Sequence, residues 1–262
     1  MSTQVQEERT AAPWPLPRRV VAGVMRPGGP AMVARALEGA GLGDGDRVVE
    51  LAPGLGLTAQ AIVAAGPRSW TGVEPDPLGA EHLRKALRGA GREVRTDPVD
   101  ATGLPDGAAS IVVTDALLST LNDAGRAAVI AEAARLLGEG GRLVLHELAP
   151  AAGADPAAIA RLADAGLEAR TEEAWRADVE RAGLVTVGSL VGRLDLPEQP
   201  DLMKEAGPRG ALRITRALAT DAGVRTATLA TRNALERDVL ALRSVVVVAE
   251  VPLILGMRRR RR

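Results

Sequence analysis

Between residues 48 and 148 the chain alternates short apolar runs with amphipathic stretches. The runs are Val48–Ala52, Trp70–Glu74, Glu93–Asp97, Ile111–Asp115 and Arg142–Leu148, most of them apolar at consecutive positions. Strands covered on both faces read this way, which predicts a parallel sheet. The stretches between them are punctuated as helices. Thr58 opens one that Gly66-Pro67 closes. Asp76-Pro77 supplies an N-cap and a first-turn proline for a second, and Asn122 or Asp123 caps a third that ends near Gly138. This order predicts a doubly wound α/β sheet with right-handed crossovers. Upstream, Arg18 to Gly41 is helical text interrupted at Pro27-Gly28-Gly29-Pro30. Downstream of Pro150 come two helical stretches (158–165 and 172–183) and two further strands (184–196 and 244–251). Roughly 45 residues of arginine-bearing helical text lie between those strands. The expected organisation is an N-terminal arm and helices over 1–40, an α/β core over 41–196, a helical insertion over 197–243, a last core strand over 244–257 and a basic tail over 258–262.

Composition narrows the chemistry. The 262 residues are 46% hydrophobic and 25% charged, which excludes a largely disordered chain. Cysteine is absent and histidine occurs twice, at His82 and His146, so thiol chemistry is excluded and no metal centre is expected. Phe and Tyr are absent and three Trp are the only aromatics, which leaves aromatic base-stacking modules almost nothing to stack with. Charges balance at 33 cations and 33 acids; without the run Arg258–Arg262 the body is acidic, 28 against 33, and no nucleic-acid partner is expected. Neither a signal segment nor an apolar stretch of spanning length is visible, so a cytoplasmic protein without a membrane span is expected.

The most informative segment is Val48-Val49-Glu50-Leu51-Ala52-Pro53-Gly54-Leu55-Gly56-Leu57-Thr58, where a first strand turns into a first helix. Gly54 and Gly56 permit tight turning and close approach to a ligand, and the helix start offers free N–H groups to an anion. The spacing Gly54-x-Gly56-x-x-Ala59 also fits a loose dinucleotide pattern, and hence an NAD(P)-linked oxidoreductase. A pyrophosphate site gains nothing from an acid four residues before the first glycine, and Glu50 is there. S-adenosylmethionine (SAM), with an ammonium and a sulfonium and no phosphate, would be attracted by it.

Here the sequence resembles the class I SAM-dependent methyltransferases, whose first motif is an acid followed by x-Gly-x-Gly-x-Gly. This chain reads Glu50-x-Ala52-x-Gly54-x-Gly56, with Ala52 in place of the first glycine. The likeness continues in order through Gly72-Val73-Glu74-Pro75-Asp76, Asp100-Ala101-Thr102-Gly103-Leu104-Pro105, Gly140-Gly141 before the fifth strand, and Thr171–Trp175 through Leu184. Residues 109–110, Ala-Ser, depart from the family's usual Phe-Asp. The resemblance implies a seven-stranded Rossmann-like sheet and SAM as cofactor. It places Glu74, followed by Pro75, on the ribose hydroxyls, and Asp100 with the Ala101 N–H on the adenine, Asp97 being a competitor for that role. It covers residues 40–192, with a seventh strand at 244–251. It also implies a methyl acceptor that is a small or lipid-like molecule. A SAM-binding protein without turnover is the remaining alternative.

Methyl transfer is an in-line displacement, and an amine or hydroxyl acceptor must also lose a proton. Open α/β sheets place ligands at the carboxyl ends of strands. Asp115 at the end of strand four, and His146 and Glu147 at the end of strand five, are therefore the candidate bases; His146 is favoured because histidine titrates near neutral pH. Arg26-Pro27-Gly28-Gly29 could present N–H groups to a carboxylate, and Trp14 could close over the site. Arg209, Arg213 and Arg216, spaced i, i+4, i+7, share one helical face that could steer an acidic substrate.

Overall fold

The computed structural model describes residues 27–196 and 218–253, together with 208, 211, 212, 215 and 216. Trp14, Arg26, Lys204, Arg209, Arg213 and the tail Arg258–Arg262 lie outside the described residues.

The chain order is α1 (Gly29–Gly39), β1 (Arg47–Leu51), α2 (Leu57–Ala64), β2 (Ser69–Val73), α3 (Pro77–Ala86), β3 (Arg92–Arg95), β4 (Ala109–Asp115), α4 (Asp123–Leu136), β5 (Leu137–Pro150), α5 (Pro156–Asp164), α6 (Glu172–Arg181), β6 (Val185–Arg193), α7 (Ala222–Arg237) and β7 (Leu242–Glu250). Short 3₁₀ turns at Leu118–Thr120 and Val239–Ala241 follow β4 and precede β7. The strands form one sheet in the order β3-β2-β1-β4-β5-β7-β6. β1 to β5 pair in parallel, and β7 runs antiparallel to both β5 and β6. The sheet is thus seven-stranded and Rossmann-like, as the resemblance implies, and it is mixed because β7 is antiparallel to its neighbours.

Its two faces are covered separately. Val49, Leu51, Val112, Leu143, Leu145 and Val247 pack with α4 and α6 around Trp175. Val48, Trp70, Ile111, Val113, Val144 and Val246 pack on the other face with α1, α2 and α3. Alternate strand residues therefore enter different cores, the physical reason for continuous apolar runs. A third cluster joins Leu148, Leu194 and Leu242, at the ends of β5, β6 and β7, to Leu162 and Leu167 around α5 and Leu235 of α7.

The capping signals decide the helix starts. Asp76 accepts from the Gly79 N–H, Asn122 from Gly125 and Thr171 from Ala174. Thr58 is not a cap: α2 starts at Leu57, after Gly56 at φ +80°. β5 is twice as long as expected. It begins directly after α4, where Leu137 pairs with Ala109 of β4, and runs on to Pro150, where antiparallel β7 holds it over Arg142–Pro150. His146 and Glu147 consequently lie within the strand rather than at its end. Among the described residues, no helix is long and apolar enough to cross a membrane.

Candidate functional site

β1 delivers Glu50 to the carboxyl edge of the sheet, and the chain then makes three left-handed residues in five: Ala52 at φ +55°, Gly54 at +57° and Gly56 at +80°. Ala52 stands where the resemblance expects glycine and adopts the glycine conformation regardless, at a cost of roughly 1 kcal/mol. A Cβ at Gly56 would lie 2.6 Å from Leu83 Cδ2, so the loop needs glycine there to pack on α3. α2 begins with no side-chain cap, which leaves the first-turn N–H groups facing the loop mouth.

The carboxylates around this loop are buried and engaged. Glu74 is 3% exposed; it accepts from the Gly54 N–H through Oε2 and from the Asp76 N–H through Oε1, both at 2.9 Å. It ties the glycine loop to the turn after β2, as a group must that is to face a ligand held by that loop. Pro75 beside it is half-buried. Glu50 is 1% exposed and accepts from the indole N–H of Trp70 at 2.9 Å. Trp70 has this reach because Gly72 lies alongside it; a Cβ there would sit 2.5 Å from the ring. The pairing of Glu50 with an indole donor is a feature that sequence reasoning missed.

The loop after β3 is braced from α4. Glu132 accepts from the Thr102 N–H at 2.9 Å and the Thr102 hydroxyl at 2.6 Å, and Arg135 donates to both of its oxygens. Burial opposes ionisation of Glu132, but the Arg135 and Thr102 donors outweigh it and hold the carboxyl down at about 2. Asp100 and Ala101 precede this brace, half-buried and exposed respectively. Asp97 is paired with Arg95 at 2.7 Å, whereas Asp100 enters no ion pair among the described residues.

A second group of side chains starts one helical turn from the loop. The Thr58 hydroxyl donates to Asp115 Oδ2, which joins the first turn of α2 to the end of β4. Asp115 Oδ1 lies 3.0 Å from His146 Nδ1, its register partner on β5. This contact has ion-pair distance with angles too bent for a regular hydrogen bond, and neither atom has another partner. On the far side of the ring, His146 Nε2 is 2.8 Å from the Ser244 hydroxyl of β7, and that hydroxyl donates to the Pro27 carbonyl at 2.9 Å. His146 is 2% exposed. Thr58 and Ser244 complete this polar row, and period-two spacing on the strands is the signal that would have placed Ser244 on the His146 face.

Glu147 points to the opposite face and is fully buried. It accepts from the Leu118 and Ser119 N–H groups at 2.7 and 2.9 Å. Burial pushes its carboxyl up to about 7 despite these donors, with a smaller upward push from the Asp115 charge. Two residues before that turn, Ala116 sits at φ +53°. Glu147 is thus placed to fix the strained turn after Asp115, not to meet a substrate.

The residues present fit SAM. They offer a close-approach loop with uncapped amides for a carboxylate, a Glu74 at the tip of the neighbouring strand, and buried acids beneath the loop for a cationic ligand. The comparisons with known proteins agree. Residues 48–141 match the methyltransferase domain family. No curated protein is significantly similar to the chain. Among solved structures, the cyclopropane synthase MmaA2 of Mycobacterium tuberculosis superposes with a TM-score of 0.61 at 18% identity, over 84% of this chain and 83% of that one. A geranyl diphosphate methyltransferase in complex with SAM gives 0.58 at 18% identity, over 84% of each chain. The [4+2]-cyclase SpnF gives 0.64 at 15% identity, over 85% of this chain and 80% of that one. Residues 48–141 thus match a methyltransferase domain, and the sheet and helices around them form a fold shared with these solved structures.

Proposed function

We propose that this methyltransferase acts on a small, partly apolar acceptor that enters beside Asp115. One observation carries the reading: the third apolar cluster continues the row of the candidate base. Leu148 follows His146 by two residues on β5, and Leu242 precedes Ser244 by two on β7, so all four side chains share one face of the sheet. α5 and α7 roof that face through Leu162 and Leu235. An acceptor beside Asp115 would border this buried apolar cluster, with the Asp115–His146 pair between them. The solved structures named above include two whose names refer to a prenyl diphosphate and to cyclopropane synthesis, which supports a small or lipid-like acceptor.

In this reading Ala52, Gly54 and Gly56 shape the cradle, with Glu50 beneath it. Glu74, with Pro75, faces the ribose, and Asp100 with the Ala101 N–H faces the adenine. SAM supplies the electrophilic methyl group. Asp115, backed by His146, takes the proton that an amine or hydroxyl acceptor gives up. Most of the acceleration comes from alignment and exclusion of water. Chain segmentation follows the same logic: 41–196 with 244–257 forms the catalytic core, and 197–243 supplies acceptor specificity. Within the insertion, Arg232 pairs with Glu236, and Arg225 donates to the Leu218 carbonyl. Arg216 is exposed.

The test is calorimetric titration with SAM, followed by measurement of S-adenosylhomocysteine release over a panel of amine, hydroxyl and prenyl-type acceptors. Binding of SAM with turnover on an apolar small molecule supports the reading. Turnover confined to a protein or nucleic acid would overturn it.

A further inference from the structure

β6 is the outermost strand on its side of the sheet; it pairs with β7 and with no other strand among the described residues. A free edge presents unpaired backbone N–H and C=O groups, and folded chains blunt such edges with proline, lysine, bulges or very short strands. β6 runs nine residues, Val185–Arg193, without proline or lysine. A register shift between Thr186 and Gly188 puts a bulge at Val187, which disturbs the first part of the edge and leaves Gly188–Arg193 in regular register.

In that regular part, Ser189, Val191 and Arg193 are the register partners of Val247, Val245 and Arg243 on β7, so their side chains share the face that α4 and α6 cover further in. All three are exposed, Val191 at 44%. The Ser189 hydroxyl donates to Glu172 at the start of α6. Arg193 stands directly across from Arg243, and neither enters an ion pair among the described residues. Like charges opposite one another on neighbouring strands repel, so Arg193 gains from an acid on its open side. On the other face Leu190 is half-buried, and Gly192 lies under Met32 of α1, where a Cβ would collide with Met32 Cε.

We propose that β6 pairs with β6 of a second copy of this chain, antiparallel and about a two-fold axis at Val191, so that the two sheets continue into one another. An axis on a single residue keeps every side chain on its own face, since opposite residues then differ by an even number. Val191 meets the partner's Val191. Arg193 lies opposite the partner's Ser189, whose hydroxyl holds the partner's Glu172, and symmetry makes this contact twice. Leu190 lies opposite the partner's Gly192, where no side chain competes for the space. Moving the axis by one residue sets Arg193 against bulged Val187 or against Val191 and loses the acid. The edge thus carries the cation and the acid that answers it, which a two-fold axis requires of a self-pairing surface and a different partner does not. Gly192 is also the register partner of Ser244, so the joined edges lie beside the strand that carries Ser244 of the polar row.

The inference is independent of the acceptor, and its test needs no turnover. Sedimentation equilibrium of the full chain from about 1 μM to about 1 mM spans the range in which a small interface shows itself. A monomer–dimer equilibrium is expected. Val191→Lys sets two ammonium groups face to face on the axis and should weaken the dimer at least about tenfold. Arg193→Glu sets acid against acid at both symmetry-related contacts and should weaken it likewise. Arg193→Glu combined with Glu172→Arg exchanges the charges and should restore association. In the unsubstituted chain, the outward-facing amides of Gly188–Leu194 should exchange hydrogen more slowly as the dimer forms. A chain that stays monomeric throughout, or a dimer indifferent to either single substitution, overturns the proposal. So does a dimer that the charge exchange fails to recover, or one whose β6 amides exchange at the monomer's rate. Circular dichroism confirms that each variant keeps its fold, and the exchange measurement stands without any variant. Absence of methyl transfer on every acceptor would remove the functional reading and leave the pairing untouched.

Discussion

Replacing Glu147 by glutamine isolates a single buried carboxyl. Burial holds its folded pKa at about 7 against an ordinary 4.5. Between these values the folded protein keeps a proton that the unfolded chain releases. The resulting stabilisation is complete below pH 4.5 and disappears as pH rises through 7. The difference is worth on the order of 3 kcal/mol, of which about 2.5 kcal/mol lies between pH 5 and pH 8. Glutamine has no such proton. It also presents one oxygen where Glu147 presents two, so either the Leu118 or the Ser119 N–H loses its acceptor and meets an amide donor, at a cost of about 1–3 kcal/mol.

The two effects separate by pH. At pH 5 the variant should be clearly less stable than the parent. At pH 8 the parent bears a buried carboxylate and the gap should shrink by about 2–3 kcal/mol. Urea denaturation at pH 5, 6, 7 and 8 measures both curves. Glu132, which titrates near 2, lies outside the window. Parallel curves across the range would show that Glu147 is ionised throughout, its two backbone donors outweighing burial, and would refute the reasoning.

Glu132 gives the opposite sign: its stabilisation is present above about pH 4.5 and fades as pH falls towards 2, so Glu132→Gln should flatten acid unfolding followed by circular dichroism and weaken SAM binding through the loosened Thr102 loop. Glu74→Gln leaves one of two backbone donors, Gly54 or Asp76, without its acceptor, and SAM affinity by calorimetry should fall at least about tenfold. Trp70→Phe strips the indole N–H from buried Glu50 and should cost about 1–3 kcal/mol in denaturant unfolding. Ala52→Gly relieves about 1 kcal/mol of left-handed strain and gives back a similar amount in unfolded-state entropy, so thermal unfolding should barely move; a loss of several degrees would show that the alanine methyl packs usefully.

What the sequence discloses and what it hides follow one physical division. Strands β1 to β5 and the caps at Asp76, Asn122 and Thr171 are local: a period of two, a proline, a side-chain oxygen three residues ahead of an N–H. The glycine loop is legible for the same reason, since its conformation is set within five residues. The errors come from partners far along the chain. β5 outruns its apolar signal because β7, about a hundred residues later, continues the ladder. Thr58 looks like a helix cap, and only the pairing of β1 with β4 shows its hydroxyl aimed at Asp115. Ser244 looks like the first residue of a strand, and only the β5–β7 register sets it against His146.

The same division separates the proposed cofactor end of the site from the proposed acceptor end. The groups assigned to SAM belong to strand–loop–helix units in which motif and geometry arise from neighbouring residues, so spacing alone announces them. The proposed acceptor end is assembled across strands: Asp115 from β4, His146 from β5, Ser244 from β7 and Pro27 from the chain entering α1. Each is unremarkable in its own segment, and the row exists only once the strands are paired. Specificity in such a fold is free to change through these long-range contacts while the glycine loop and Glu74 stay as they are, so a substitution at Ser244 or Leu242 should alter acceptor turnover with little effect on SAM binding.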